Sequence, residues 1–267
     1  MKAKPHKRTI DALINLLEDE DRHVSTMAME QLLLLDSDVD RLIAELQESH
    51  NPVLRNRIHQ LGKILKFRRA REVFINSVHE SNISLWDGII QINYQYNPQM
   101  NFSDVDTMTE EVAERLPRRI TTVRMATFMR NENFSFTGED ILGTDLFLIE
   151  DVLRQRVGSP ILLSVVARYL GEIANWNASI VLFKGKHCLI DSDFHLVEPS
   201  EGWRVTRLTR DDKLHPCADR DIWLTILGQL FLSALLEGRL QTIHRVGSIL
   251  SKLCDGEFRD LPFPLGR

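Results

Sequence analysis

The stretch from residue 9 to residue 79 constrains the fold most, because it contains almost none of the residues that interrupt helices. It includes one glycine, Gly62, and one proline, Pro52, while leucine and isoleucine recur at helical spacing. Such periodicity predicts amphipathic helices throughout the stretch. The first part of the chain should therefore be all helix.

Four helices fit this stretch as two successive pairs. We predict one capped by Thr9, one ending at Leu35, one beginning at Asp38 and one covering 53–65. The polar turns inside each pair, within 16–24 and 46–55, resemble those of HEAT repeats. Two units are fewer than the three or so that a solenoid needs, so we expect this array to dock on the following chain rather than fold alone.

A basic segment lies at the end of this helical stretch. Residues 55 to 71 contain arginine and lysine but no acidic residue. The candidate binding residues for an acidic partner are Arg55, Arg57, Arg68 and Arg69. A nucleic-acid partner is a weaker alternative, because the net charge of the chain is -5 and Phe67 is the only aromatic residue in the segment. The simplest interpretation is a solvent-exposed helix face whose positive charge offsets the negative charge of nearby acidic turns.

Composition narrows the class of protein. Of the 267 residues, 43% are hydrophobic and 27% charged, as in ordinary globular proteins. There is no run of about 18 apolar residues, and the basic first residues are not followed by an apolar segment, so we expect no membrane partner and a cytoplasmic location. Cys188, Cys217 and Cys254 are too few for a disulfide framework and should be reduced thiols.

The most informative segment covers 153–174, where a glycine and a proline precede a long apolar run. Ser159 is placed to accept a hydrogen bond from the first turn of a helix, and Pro160 suits the first helical position, where an N–H has no intrahelical partner. The segment therefore predicts a capped helix starting at Pro160.

This segment resembles the SirB-type branch of the transglutaminase-like superfamily, whose members carry an Arg-x-x-Gly-x-Pro-Ile-x-Leu-Ser pattern. The matching residues are Arg154 or Arg156, Gly158, Pro160, Ile161, Leu163 and Ser164. Further matches follow in the same order along about two thirds of the chain: Asn93 to Phe102 upstream, then Gly185, His187, Glu198 and Pro199 downstream.

The resemblance implies an α+β, predominantly helical fold. Its parts would be HEAT-like helical repeats over 1–82, a transglutaminase-like (papain-like) core with a small antiparallel sheet over 83–210, and a C-terminal helical hairpin over 211–267 packed on the core. Within that hairpin we expect helices over 221–236 and 239–253, separated by the C-capping Gly238.

The resemblance also locates a site. Enzymes of the superfamily place a catalytic cysteine at the start of the helix, opposite a histidine and an aspartate. Here Pro160 stands at the aligned cysteine position and Glu198 at the aspartate position, while His187 is retained. The resemblance thus implies a scaffold that binds a protein or peptide without a cofactor or metal. Its candidate binding residues are Arg156, Gly158, Ser159 and Pro160, and its remnant dyad is His187 with Glu198.

Two alternatives remain at this point. One is a hydrolase or acyl transferase that uses His187 and Glu198 with an unconventional nucleophile or an activated water. The other is a zinc site, for which the possible ligands are His187, His195, His215 and Cys217, although their spacing matches no closed zinc motif.

The pairing of His187 with Glu198 also follows from hairpin geometry. Ser192 and Asp193 form a possible two-residue turn between two strands. With that turn, Asp191 pairs with Phe194, and His187 becomes the direct cross-strand neighbour of Glu198, with Cβ atoms about 4.5 to 5.5 Å apart. A register shift of one residue would place the two side chains on opposite faces.

Overall fold

The computed structural model describes residues 7–35, 37–138, 143–209, 211–256 and 261. The chain divides into two compact units, Met1–Val73 and Phe74–Arg267. The boundary between them falls inside a single long helix. Among the described residues, no helix combines the length and the apolar character needed to cross a membrane.

The first unit is built from helices. They are α1 (Lys7–Leu17), α2 (Arg22–Leu32), α3 (Ser37–Leu46) and α4 (Pro52–His79), the last of which continues past the unit boundary. Buried leucine and isoleucine side chains join them into one core, which includes Leu17, Leu32, Leu54, Ile58 and Leu61. The unit therefore has an apolar core of its own; whether it folds alone stays a prediction.

Two of the predicted boundaries in this unit are wrong. Helix α1 begins at Lys7, so Thr9 lies inside it and does not cap it. Helix α4 does not end near Leu65 but continues to His79. The basic residues within 66–71 interrupt the amphipathic pattern, but arginine, lysine and alanine are good helix formers, and beyond them Phe74, Ile75 and Val78 are buried again.

The second unit contains the remaining helices. They are α5 (Leu85–Tyr96), α6 (Phe102–Glu114), α7 (Thr122–Asn131), α8 (Ile149–Gln155), α9 (Pro160–Ile173), α10 (Asp219–Leu236) and α11 (Leu240–Leu253), with short 3-10 helices at Thr144–Phe147 and Pro199–Glu201. Gly238 ends α10 in a left-handed conformation, with φ of 67°, as predicted. Helix α10 packs on α5, where the indole of Trp223 donates to the carbonyl of Leu85 at 3.1 Å.

A small antiparallel sheet lies in this unit. Its strands are β1 (Ser179–Phe183), β2 (Lys186–Ile190), β3 (His195–Glu198), β4 (Arg204–Arg207) and β5 (His215–Pro216), in the order β4-β3-β2-β1-β5. Helix α9 packs against β1 and β2, and α7 against β3 and β4. Helices and sheet together give the α+β, mostly helical fold that the resemblance implied.

The two faces of the sheet carry different side chains. The outer face holds an apolar cluster that includes Val181, Cys188 and Leu196, covered by Leu208. Because side chains alternate along a strand, Leu189 and Val197 point to the opposite face, toward the helices, and both are fully buried. Every residue of the hairpin can be assigned to a face in this way.

Candidate functional site

The start of α9 has the structure that the sequence predicts. Ser159 is extended, with φ of -64° and ψ of 149°, and its hydroxyl accepts a hydrogen bond from the backbone N–H of Leu162 at 3.4 Å. Pro160 occupies the first turn. Ser164 donates its hydroxyl hydrogen back to the carbonyl of Pro160 at 2.8 Å. Both serine hydroxyls are therefore engaged with the backbone of the same helix.

The loop before α9 is held by backbone contacts. The carbonyl of Arg156 accepts from the N–H of Ser135 at 2.8 Å, and the N–H of Gly158 donates to the carbonyl of Ser135 at 3.1 Å. Gly158 also sits so close to Val152 that a Cβ atom would lie 2.9 Å from its methyl groups. Since Gly158 and Ser159 are buried, they position this loop rather than present a surface to a partner.

Arg156 is the most distinctive residue of that loop. Its backbone is left-handed, with φ of 63°, and its guanidinium lies over the ring of Phe134 at 4.7 Å from the ring centre. Burial lowers the pKa of this guanidinium, while the nearby carboxylate of Glu132 acts in the opposite direction. The stacking fixes the side chain against the core.

The predicted pairing of His187 with Glu198 is wrong. Leu189 pairs with Val197 and Ile190 with Leu196, so the register differs from the prediction by one residue. In this register Glu198 lies opposite Cys188, and His187 points to the other face of the sheet. The predicted dyad is not formed.

The cause is an additional residue in the turn. The N–H of Asp191 donates to the carbonyl of His195 at 3.2 Å, which leaves three residues in the loop instead of two. The last of them, Phe194, is left-handed, with φ of 63°. Three-residue hairpin loops with a left-handed final residue are common, but that residue is usually glycine. Because this position holds phenylalanine, the sequence lacks the glycine that would indicate a three-residue loop.

Glu198 has a different partner. It is buried, and its Oε2 accepts from Nη2 of Arg204 at 2.8 Å and from Nε at 3.0 Å. Arg204 is its direct cross-strand neighbour. Burial, together with the charge of Glu198, raises the pKa of the Cys188 thiol to about 12. Cys188 is therefore a neutral thiol at physiological pH. His187 lies on the other face of the sheet, where burial alone lowers the pKa of its imidazole.

The structure contains a histidine and carboxylate pair elsewhere on the hairpin. Nδ1 of His195 lies 3.1 Å from Oδ2 of Asp191. The same carboxylate accepts from the hydroxyl of Thr122 and, through Oδ1, from the backbone N–H groups of Asp193 at 2.8 Å and His195 at 2.9 Å. The indole of Trp176 donates to the Thr122 oxygen at 3.2 Å. We call Thr122, Trp176, Asp191 and His195 the turn network.

Electrostatics favour a charged carboxylate in the turn network. Burial acts to raise the pKa of Asp191, but the hydrogen bonds from Thr122 and His195 outweigh it, so the pKa lies below its ordinary value. Sequence reasoning missed this network. Its only local signal is an aspartate before a turn, a residue that often accepts bonds from the backbone two residues ahead.

The turn network borders a cavity of about 440 Å³. Asp193 and His195 line it together with Asn175, Asn177 and Val123. Among the described residues, the three donors close enough to share a metal ion are those of Asp191, Asp193 and His195. However, the oxygens of Asp191 already accept four hydrogen bonds, which fill the positions a carboxylate offers. These residues do not fit a resident metal ion.

The zinc ligands considered from the sequence are not brought together. His187 and His215 pair with Leu182 from opposite sides, on β2 and β5. Leu182 lies between them in the sheet, and among the described residues these four side chains form no group of three or more donors close enough to share a metal ion.

The basic residues of α4 have unequal surroundings. Arg57 donates to the backbone carbonyls of Leu17 and, at 2.7 Å, Asp19. Arg69 makes two bonds of 2.7 Å to Asp40, and these hold the pKa of that carboxyl below its usual value. Arg55 and Arg68 are exposed. Two of the four candidate residues therefore stabilise the helical unit itself.

Comparison with known proteins identifies the core. A family model described as the transglutaminase-like superfamily matches residues 101–226. No curated protein and no solved structure matches the chain. The match includes α9 and all five strands of the sheet. Residues 101–226 thus form a domain of the transglutaminase-like superfamily.

Proposed function

We propose that this chain is a binding protein for a protein or peptide partner, built on a transglutaminase-like domain that does not perform acyl transfer. The observation that supports the proposal is the start of α9, where Ser159 caps the helix and Pro160 occupies the first turn, at the position where the resemblance expects a nucleophilic cysteine. The buried hydroxyl of Ser159 accepts from the backbone as a helix cap. A capped hydroxyl with no adjacent base is a poor nucleophile.

The cysteines support the same proposal. A reactive thiol requires a lowered pKa, supplied by a helix N-terminus or a neighbouring cation. The pKa of Cys188 is instead raised to about 12, and burial also raises the pKa of Cys217. Neither environment activates a thiol.

The enzyme alternative requires His187 and Glu198 to act together. The strand register puts the two side chains on opposite faces of the sheet. The Glu198 carboxylate instead accepts two hydrogen bonds from the guanidinium of Arg204. No observation favours this alternative over a binding role.

We also propose that the domain belongs to the SirB-type branch and that α1 to α4 form HEAT-like repeats. The ordered motifs around Gly158 and His187 support the first assignment. The helix pairs with polar turns, in which Asp21 caps α2 by accepting from the N–H of His23 at 2.7 Å, support the second.

The experiment that tests the absence of acyl chemistry is covalent labelling of the full chain. The purified protein and its His187→Ala variant are incubated with thiol-reactive and hydroxyl-reactive acyl probes and analysed by intact mass. We expect equal labelling of both, confined to exposed groups. Labelling of Ser159 or a cysteine that is lost in His187→Ala would contradict the proposal.

The binding role is tested separately. Peptides selected from a random display library on the full chain are synthesised, and their affinities are measured by fluorescence anisotropy. We expect saturable binding by a set of peptides with a common sequence pattern. A selection that enriches no such peptide would contradict the binding role.

A further inference from the structure

A groove between α2 and α4 in the first unit has the shape and chemistry of a peptide site. Its volume is about 630 Å³, within the range of small-ligand pockets. Its walls are formed by the first turns of both helices. Its lining includes Arg22, Met29, Val53, Asn56, Arg57 and Gln60.

The charge of this groove is positive. Its lining includes Arg22 and Arg57, and none of the described lining residues is acidic. The bonds from Arg57 to the carbonyls of Leu17 and Asp19 hold its guanidinium in place. Arg22 is exposed and makes no ion pair with any described residue. One cation is thus fixed, and the other is available to a ligand.

The wall formed by α4 continues beyond the groove. Asn56, Gln60 and Lys63 are spaced by four and three residues, so they form one row along the helix. Lys63 is exposed, as is Lys66 one turn further on, and neither forms an ion pair within the described part of the chain. The row therefore leads from the amides in the groove to a second cationic position.

Apolar contacts accompany the charges. Val53 is 46% exposed, and Met29 lines the groove from α2. Methionine adapts to varied side chains in peptide sites. Asn56 and Gln60 each offer a donor and an acceptor to a peptide backbone. An acidic peptide with interspersed apolar side chains complements this surface at every position.

A nucleic acid fits less well. Stacking platforms for bases require aromatic side chains, and the lining residues of the groove include none. We propose that the groove between α2 and α4, with Lys63 at its extension, binds an acidic peptide segment of a partner protein. This inference rests on the proposed binding function and assigns it a partner class and a location.

The test measures binding of a defined probe to the full chain. The probe is a fluorescein-labelled nine-residue peptide that repeats Glu-Glu-Leu three times. We expect saturable binding, and at least about a tenfold loss of affinity in the double variant Arg22→Glu with Lys63→Glu, because both contacts become repulsive. Glutamate at the start of α2 favours the helix, so the variant should stay folded. Circular dichroism of the variant checks this.

The matched control carries the same change in charge elsewhere. Arg207→Glu with Lys252→Glu reverses two exposed cations in the second unit and should leave the affinity within about twofold of the original. A second control peptide replaces each glutamate of the probe with lysine and should not bind. A third probe is a single-stranded oligothymidine with the same number of negative charges.

Several outcomes would overturn the inference. They are no binding of the acidic probe, an equal loss of affinity in the control variant, or equal binding of the lysine peptide. Tighter binding of the oligothymidine would assign the groove to nucleic acid instead. Failure here is distinguishable from failure of the proposed function. If selected peptides of other composition bind, only the groove assignment is wrong; labelling that depends on His187 would instead refute the non-catalytic role.

Discussion

The start of α9 and the turn between β2 and β3 both use one polar side chain to hold a loop, but they do so to different degrees. Ser159 accepts one bond of 3.4 Å from a backbone amide. Asp191 accepts four, from two backbone amides, a hydroxyl and a histidine. The first side chain caps the start of a helix, whereas the second joins α7 and the hairpin. The side chain at the start of α9 thus makes one hydrogen bond, and the larger polar network lies in the hairpin turn.

The largest expected effect comes from removing the carboxylate of the turn network. Asp191→Ala leaves Thr122 and His195 without their acceptor, and we expect a loss of about 3 kcal/mol in the free energy of unfolding. Urea denaturation measures it. Asp193→Ala is the matched control, since that side chain is exposed. A loss below about 1 kcal/mol in Asp191→Ala would show that the network does not stabilise the fold.

The close packing before α9 should give the next largest effect. Gly158→Ala places a Cβ atom 2.9 Å from the methyl groups of Val152, so side chains must shift at a cost of about 2 kcal/mol. In Gly228→Ala, the added Cβ meets no atom within 4 Å on α10, and this control should stabilise by up to about 1 kcal/mol. Thermal melts measure the stability of both variants. An unchanged melting temperature in Gly158→Ala would refute the packing argument.

The helix cap should matter less than either. Ser159→Ala should cost about 1 kcal/mol, the usual loss for an N-cap, while Ser159→Thr retains the hydroxyl and most of the stability. Binding of the acidic probe should not change in either variant. An unchanged melting temperature combined with loss of binding would identify Ser159 as a functional residue instead of a cap.

The smallest expected effect is on the free energy of unfolding at acidic pH. The folded state lowers the pKa of Asp191, so its contribution is complete above the unfolded value of about 3.9 and is lost as the pH falls through the folded value. Asp191→Asn lacks this contribution. The difference in unfolding free energy between wild type and variant should therefore be larger at about pH 5 than at about pH 3. A constant difference would mean that the charge of Asp191 is not stabilised.

The sequence predicts the helices better than the hairpin. The start of α9 at Pro160 and the end of α10 before Gly238 follow from local signals that the structure retains. The length of α4 was missed because the basic segment 66–71 interrupts its apolar pattern before the buried residues of the last turns. The register was missed because Phe194 adopts a conformation that glycine usually marks. One backbone conformation in the turn thus decided which residues of the site face each other.

The turn network could not be predicted for a related reason. Its members come from α7, the loop after α9 and the hairpin, and only the tertiary fold brings Thr122 and Trp176 to Asp191. The sequence does place Asp191 and His195 four residues apart. It does not reveal which carboxylate a given histidine will meet, because that depends on the register.

The central claim is that the transglutaminase-like domain does not assemble a histidine and carboxylate pair from His187 and Glu198. The most direct measurement is the NMR titration of His187 in the wild type and in Glu198→Gln. We predict a pKa of His187 below its ordinary value that does not change with the substitution, because burial alone lowers it. A fall in the pKa of His187 in Glu198→Gln would show that the two side chains interact, and it would contradict this account.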